Sequence, residues 1–282
     1  MAIAEVNRQR IYYEVHPRSP ADAGQGAGGD GEPLLCVSGL TTDTMVWIPQ
    51  IQAFSAAHRT VIFDNRDAGQ SSMAKGEYEI ADMARDALAL ADHLELDTFH
   101  LLGVSMGGAI AQEMAIQAPE RARTLTLAVT FPAGGAYARR LAEVWSARVD
   151  QVSHEQHVDE LMLLNHSEGF YDHPEMVEFI RTAMLNNPHP QPPEAFARQI
   201  AASSRHDTRG RLGSLTMPTL VIGGEYDILV PVWKSKEVAS LIPGSKLTIL
   251  AGAPHGLSVE RAEEFNAAVL DFIRETAATP AA

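Results

Sequence analysis

Short apolar runs alternate along this chain with segments of helical periodicity, and no other feature of the sequence restricts its fold as strongly. Continuously apolar runs of this kind are typical of strands buried on both faces of a sheet. Strands that alternate with helices predict a parallel sheet flanked by helices. The predicted strands are 34–37, 60–63, 99–104, 124–130, 219–222 and 246–250, and the predicted helices include 81–94, 105–117 and 260–274, the second of which ends before Pro119.

Two earlier runs, 2–6 and 11–15, are separated by only four residues. A connection this short cannot hold a crossover helix, so it predicts an antiparallel hairpin. The whole pattern therefore predicts an α/β fold with a mostly parallel, eight-stranded sheet. The segment 18–33, rich in Gly, Ala, Asp and Pro, is predicted to be a mobile surface loop, and the tail from Ala277 is expected to fray.

The alternation stops between Thr130 and Thr219, where the sequence has helical patterns and no strand pattern. After a first amphipathic helix, a second is predicted from about Pro174 to Met184. Proline-rich sequence separates the second helix from a third near 194–204. The stretch predicts a helical insertion that lies over the sheet. In the first helix of this stretch, the apolar side chains that fall on one stripe at helical spacing are Tyr137, Leu141, Val144 or Trp145, Val149 and Val152.

The composition favours one large domain, or a domain with an insertion, over a disordered chain. Of the 282 residues, 45% are hydrophobic and 21% are charged, so the chain can bury a sizeable core. Lys and Arg total 22 against 36 Asp and Glu, and the net charge of −14 argues against nucleic acid or an anionic membrane as a partner. The composition carries no signal for an oligomeric state.

Cys36 is the single cysteine, which excludes an internal disulfide framework and a cysteine-based metal site and fits a reducing compartment. Its place in an apolar strand predicts an inert, buried thiol. No stretch reaches the roughly 18 apolar residues that cross a bilayer, and residues 1–8 lack the apolar core of a secretion signal. We therefore expect a cytoplasmic protein.

The sequence Gly103-Val104-Ser105-Met106-Gly107 matches the pattern G-x-S-x-G between a predicted strand and a predicted helix. This strand-turn-helix context forces a serine into an exposed, strained position, and glycines on either side avoid collisions with the neighbouring elements. The context therefore favours Ser105 as a nucleophile over a serine in an ordinary tight turn.

A serine nucleophile requires a histidine base that is oriented by a carboxylate. Asp227 lies just beyond one predicted strand and His255 just beyond the next. Because the carboxyl ends of parallel strands share one edge of the sheet, Ser105, Asp227 and His255 are predicted to converge there. Glu225 is a second candidate for the acid, and the position of Asp227 deeper in the loop favours Asp227.

Acyl transfer also requires donors that stabilise the oxyanion. The backbone N–H of Met106 directly follows the nucleophile at a helix N-terminus and is the first candidate. The second is the N–H of Leu40, in the loop Ser38-Gly39-Leu40 after a predicted strand, where Gly39 allows the backbone to turn towards the site.

The sequence indicates neither a metal nor a cofactor. His154-Glu155-Gln156-His157 resembles part of a zinc motif, but it lacks the i,i+4 spacing and a third ligand. No G-x-G-x-x-G pattern follows a predicted strand, so a dinucleotide site is unsupported.

Over nearly its whole length the chain resembles the α/β-hydrolase superfamily, in particular capped serine hydrolases such as enol-lactonases and small-ester hydrolases. Residues 64–71 (DNRDAGQS) resemble the family's D-x-R-G-x-G-x-S turn, with Asp67 in place of the first glycine, and Ser38 replaces the histidine usual in the oxyanion loop. The resemblance implies a core of residues 1–132 and 214–282, a helical cap of residues 133–213, and Trp47 as a wall of the pocket. Gly39 and Trp145 are further predicted substrate-binding residues.

These features predict a serine hydrolase that cleaves a small carboxylic ester or lactone through an acyl-enzyme on Ser105. A carbon–carbon bond hydrolase or a cofactor-free perhydrolase would use the same three residues and stays open as an alternative. An alternative from another class is a hydrolase-like protein that binds a ligand without turnover.

Overall fold

An eight-stranded sheet forms the centre of the computed structural model, which describes residues 2–18 and 32–277. The strand order is β1-β2-β4-β3-β5-β6-β7-β8. Most of the predicted loop at 18–33 and the tail beyond Ala277 lie outside the described residues. The strands are β1 (Ala2–Val6), β2 (Gln9–His16), β3 (Leu34–Val37), β4 (Thr60–Phe63), β5 (Phe99–Val104), β6 (Ala122–Ala128), β7 (Thr219–Gly224) and β8 (Lys246–Leu250).

The predicted sheet is confirmed, including its antiparallel edge. β1 pairs with β2 and β2 with β4 in antiparallel fashion, and all other neighbours are parallel. The sequence predicts the sixth strand at 124–130, but the strand runs from Ala122 and ends at Ala128. The chain leaves the sheet there because Val129 adopts a positive φ of 44°.

Helices cover both faces of the sheet. Successive side chains of β3 point to opposite faces of the sheet. Leu35 and Val37 join the core beneath α2, α3 and α8. Leu34 and Cys36 join the core beneath α1 and α10. Cys36 is fully buried, and burial raises the pKa of its thiol. The helices are α1 (Ile48–Ala57), α2 (Ile80–His93), α3 (Met106–Gln117), α4 (Gly135–Arg148), α5 (His154–Asn165), α6 (Pro174–Leu185), α7 (Pro193–Arg205), α8 (Val232–Leu241), α9 (Leu257–Glu260) and α10 (Ala262–Ala277).

Helices α4 to α7 lie between β6 and β7, within the segment predicted as a cap, and these four helices with their connections are here called the cap. The predicted stripe of the first cap helix is wrong at both ends. Tyr137 is 80% exposed, and the helix ends at Arg148, before Val152. Within the stripe, Trp145 and Val149 pack against Phe196 of α7 as the stripe predicts, together with Ala142, which the stripe omitted.

Helix α5 has no counterpart among the helices predicted from the sequence. Its start is specified by a capping box, in which Ser153 Oγ accepts a hydrogen bond from the backbone N–H of Gln156 at 3.1 Å, and Gln156 Oε1 accepts one from the N–H of Ser153 at 3.0 Å. The histidine-rich motif at 154–157 is therefore the first turn of a helix. Among the described residues, no helix has the length and apolar character required to span a membrane.

Candidate active site

Ser105 lies at the sharp turn between β5 and α3. Its φ of 57° and ψ of −122° are far from the values of a strand or a right-handed helix, so the backbone here is strained. Contacts on both sides of the residue hold this conformation. The backbone N–H of Ser105 donates to Ala128 O at 2.9 Å, and Thr130 Oγ1 donates to Ser105 O at 2.7 Å.

The two glycines of the motif are required by close backbone approach. A Cβ atom at Gly103 would lie 2.3 Å from Gly107 O, and one at Gly107 would lie 2.1 Å from Val37 O. Both distances are far shorter than real Cβ contacts, and the atoms met are backbone atoms, which cannot rotate away. The turn 103–107, here called the elbow, can therefore hold α3 close to β5 and to β3 only when both positions lack a side chain.

Ser105, His255 and Asp227 form a continuous chain of hydrogen bonds. His255 Nε2 lies 3.0 Å from Ser105 Oγ, and His255 Nδ1 lies 2.7 Å from Asp227 Oδ2. The side chain of Asp227 is fully buried, and its other oxygen accepts hydrogen bonds from the N–H groups of Leu229 and Val230 at 2.9 and 2.7 Å. These backbone donors fix the carboxylate, so it holds the imidazole ring in one orientation.

Glu225, the second candidate for the acid, is exposed and contacts a different partner. Its Oε2 accepts a hydrogen bond from the backbone N–H of Gly252 at 2.8 Å. The carboxylate that meets His255 is therefore that of Asp227.

The loop after β3 passes directly over Ser105. A Cβ atom at Gly39 would lie 3.2 Å from Ser105 Cβ and 3.8 Å from Ser105 Oγ, so the backbone of this loop borders the nucleophile. Leu40 follows, and its side chain packs against the cap cluster around Ala142 and Phe196. Met106 is the first residue of α3, where N–H groups have no acceptor within the helix. Both predicted oxyanion donors are thus in segments adjacent to Ser105.

The two tryptophans that are predicted to bind substrate lie in different parts of the molecule. Trp47 is 1% exposed in the core between α1, α10 and the sheet, in the same cluster as Ala253 and Leu257 on either side of His255. Trp145 is in the cap, with its ring centroid 6.2 Å from that of Phe196. Their assignment as substrate-binding residues stays a prediction.

Sequence reasoning missed several polar side chains that support these loops. Asn65 Nδ2 donates to Ser38 O at 3.0 Å, and Gln199 of the cap contacts Thr41 and Arg66. The motif D-x-R-G-x-G-x-S marked the position of Asn65, but nothing in the local sequence around Gln199 indicates its partners.

Asp64, the first residue of that motif, holds the loop after β4 against the start of the short helical turn at 44–47. Its Oδ1 accepts from the N–H of Thr44 and its Oδ2 from the N–H of Gln70, both at 2.7 Å. Burial raises the pKa of Asp64 to about 6, although the two backbone donors oppose this shift. The role of Asp64 is therefore to connect loops near the site.

Comparisons with known proteins agree with this architecture. Residues 32–262 match the family model described as "alpha/beta hydrolase fold". The chain is 32% identical over 273 residues to the "Putative carbamate hydrolase RutD" of Variovorax paradoxus, covering 95% of this chain and 97% of that protein. It is 30% identical over 245 residues to the "3-oxoadipate enol-lactonase 2" of Acinetobacter baylyi, covering 85% and 88%.

Among solved structures, the enol-lactonase from Burkholderia xenovorans LB400 superposes with a TM-score of 0.85 and 24% identity. The match covers 97% of this chain and all of that one. At this level of identity the likeness concerns the fold.

Proposed function

The chain belongs to the α/β-hydrolase family, and from this premise we propose that it is a serine hydrolase that cleaves a small carboxylic ester or lactone through an acyl-enzyme on Ser105. The observation that carries the proposal is the chain of hydrogen bonds from Ser105 through His255 to Asp227, at 3.0 and 2.7 Å. Pure binding of a ligand does not require a base and an orienting acid behind a strained serine.

In the proposed first step, His255 acts as a general base. Asp227 accepts a hydrogen bond from Nδ1–H of His255, which leaves Nε2 unprotonated and free to take the proton of Ser105 Oγ. Oγ then forms a bond to the substrate carbonyl carbon, and the carbonyl π electrons move to its oxygen. The buried carboxylate of Asp227 stabilises the imidazolium that results.

The negative oxygen would be held by the backbone N–H groups of Leu40 and Met106, which border Ser105 on the loop and on α3. Collapse of this intermediate expels the alcohol, which takes the proton from His255. A water molecule, deprotonated by His255, then attacks the acyl carbon. The bond from this carbon to Ser105 Oγ breaks, Oγ takes the proton back from His255, and the carboxylic acid leaves. In a lactone the alcohol and the acid belong to one product molecule.

A carbamate is the second candidate substrate class, and the 32% identity to a protein named as a carbamate hydrolase favours it. The carbonyl carbon of a carbamate bears a nitrogen and a singly bonded oxygen, and the same attack by the serine hydroxyl would apply to it. The nitrogen donates electrons into the carbonyl, so a carbamate is intrinsically less reactive than an ester. The two candidates therefore differ in substrate and share the nucleophile.

Covalent labelling followed by a substrate screen tests the proposal. A fluorophosphonate should modify the native protein at Ser105, identified by peptide mass spectrometry, and should leave Ser105→Ala unmodified. Hydrolysis would then be measured on acyl esters of increasing length, methyl esters, lactones and simple carbamates. No labelling of Ser105, or near-native turnover by Ser105→Ala, would contradict the mechanism, and turnover of carbamates alone would favour the second candidate.

A further inference from the structure

The segment 38–43, here called the oxyanion loop, contains a backbone conformation that is costly on its own. Thr41 adopts a φ of 65°, a region that β-branched residues rarely enter. Such strain persists only where the surrounding structure enforces it, and it is concentrated at functional sites. Thr41 directly follows Leu40, whose N–H is the proposed oxyanion donor. A group that holds Thr41 in place therefore acts one residue from the oxyanion.

Gln199 of the cap helix α7 makes that contact. The N–H of Thr41 donates to Gln199 Oε1 at 3.3 Å, and Gln199 Nε2 donates to Arg66 O at 2.8 Å. A second cap side chain, Gln191, donates to the same Oε1 at 2.9 Å. The side chain of Gln199 is fully buried, so no water competes for these bonds.

We infer that Gln199 is a positioning residue that aims the N–H of Leu40 at the oxyanion, an inference that rests on the proposed function. Because a peptide unit is planar, fixing the N–H of Thr41 also fixes the carbonyl of Leu40 and thereby limits the rotation of Leu40 itself. Gln199 is anchored at its other end to Arg66, on the loop after β4. The amide thus holds the oxyanion loop at a set distance from the core.

This arrangement makes the oxyanion hole depend on how the cap is seated. Gln199 is on α7, and Asn187, in the segment that precedes α7, donates to Asp43 Oδ2 at 2.7 Å. Both ends of the segment from Thr41 to Asp43 are therefore held by amide side chains of the cap. A displacement of α7 would release Thr41, and the donor at Leu40 would lose its alignment.

The test compares Gln199→Met with Arg205→Met. Methionine has a similar length to glutamine and no hydrogen-bonding amide. Arg205 also attaches α7 to the core, through hydrogen bonds to Glu79 and to Tyr78 O at 2.9 Å, and within the described part of the chain no hydrogen bond or ion pair joins it to residues 38–43. The measured quantity is the rate constant for labelling of Ser105 by a fluorophosphonate, whose phosphoryl oxygen occupies the oxyanion position, as a function of pH.

Gln199→Met is expected to slow labelling at least about tenfold, since loss of one oxyanion donor costs about a hundredfold or more. The pH at which labelling is half-maximal should stay that of the native protein, because the contact between His255 and Asp227 is untouched. A trifluoromethyl ketone forms an anionic adduct with serine and therefore competes with the fluorophosphonate for Ser105. The concentration of this ketone that halves the labelling rate should be higher for Gln199→Met than for the native protein, by a factor similar to the loss in labelling rate. Arg205→Met should label within about threefold of the native rate.

Three results would overturn the inference while the native protein still labels: a rate for Gln199→Met within about threefold of native, an equal loss in Arg205→Met, or a shifted pH midpoint. Failure of the native protein to label would instead overturn the proposed function. If Gln199→Met does not fold, Gln199→Asn replaces it. Its amide is one methylene too short to reach both Thr41 and Arg66, and the same loss is expected.

Discussion

Asp67 and Arg198 form a two-point ion pair between the core and the cap. Arg198 Nε lies 2.8 Å from Asp67 Oδ2, and its Nη2 lies 2.8 Å from Oδ1. The Asp67 side chain is fully buried, whereas that of Arg198 keeps 19% of its surface exposed. The two partners therefore differ in what their loss costs. Without Asp67, the guanidinium of Arg198 can be solvated by water, whereas without Arg198 the buried carboxylate of Asp67 cannot.

This asymmetry predicts that Arg198→Met destabilises the protein more than Asp67→Gly. Arg198→Met removes both guanidinium donors from a buried carboxylate that also accepts from the N–H of Ala74, and we expect a loss of about 3 kcal/mol in the free energy of unfolding. Asp67→Gly removes the charge and also relieves the positive φ of 67° at this position, so its cost should be less than half as large. Urea unfolding of both variants measures the difference, and equal costs would contradict the prediction.

Asp227→Asn should lower kcat by about four orders of magnitude, because an amide at this position favours the wrong imidazole tautomer. Glu225→Gln is the matched control. It changes a carboxylate two residues away whose contact is Gly252 N, and it should leave kcat within about threefold of native. Steady-state hydrolysis of a substrate found in the screen measures both. A larger loss in Glu225→Gln would mean that the acid has been assigned to the wrong residue.

The fold and the placement of Ser105, Asp227 and His255 could be predicted because the signals are local. Each of these residues follows an apolar run that predicts a strand, and a parallel sheet brings the ends of such runs to one edge. The positions of these three residues can therefore be predicted without knowing how surfaces far apart in the sequence pack together. The same local logic located Leu40 and Met106 beside the nucleophile.

The cap contacts could not be predicted in this way. Gln199 and Arg66 are 133 residues apart, and Arg198 and Asp67 are 131 apart, so their meeting depends on how the cap packs on the core. Amphipathic periodicity indicated three of the four helices in the cap, but it missed α5 and misplaced the ends of the inward stripe of α4. Most of that helix is solvent-exposed, and the apolar side chain of Tyr137 therefore does not mark its buried face.

Gly107→Ala should prevent stable folding, because the new methyl group would lie 2.1 Å from Val37 O and 2.6 Å from Ser38 O. Neither backbone atom can move without displacing β3 or the oxyanion loop, and we expect a loss of at least about 3 kcal/mol. Gly76→Ala is the control, since a Cβ atom there meets nothing within 4 Å. Soluble yield and thermal midpoint measure both variants. A Gly107→Ala protein as stable as Gly76→Ala would show that the elbow is not packed as described.

His206 makes the stability of the protein depend on pH near the junction of cap and core. Its side chain is 1% exposed, and burial lowers its pKa to about 4, although nearby Glu113 opposes the shift. The unfolded chain therefore takes up a proton near pH 6.5, while the folded protein does not until about pH 4. The stability contributed by neutral His206 is complete above pH 6.5 and is lost as the pH falls from there towards 4.

Replacement of His206 by glutamine should remove this pH dependence. From pH 7 to pH 5 the free energy of unfolding of the native protein should fall by about 2 kcal/mol more than that of His206→Gln. The comparison between the two proteins is necessary because other buried groups also titrate. Burial lowers the pKa of His100 to about 4, which acts in the same direction, and raises that of Asp64 to about 6, which acts in the opposite one. Those contributions are common to both proteins, so urea unfolding at the two pH values isolates His206, and equal losses would show that His206 is not kept neutral by burial.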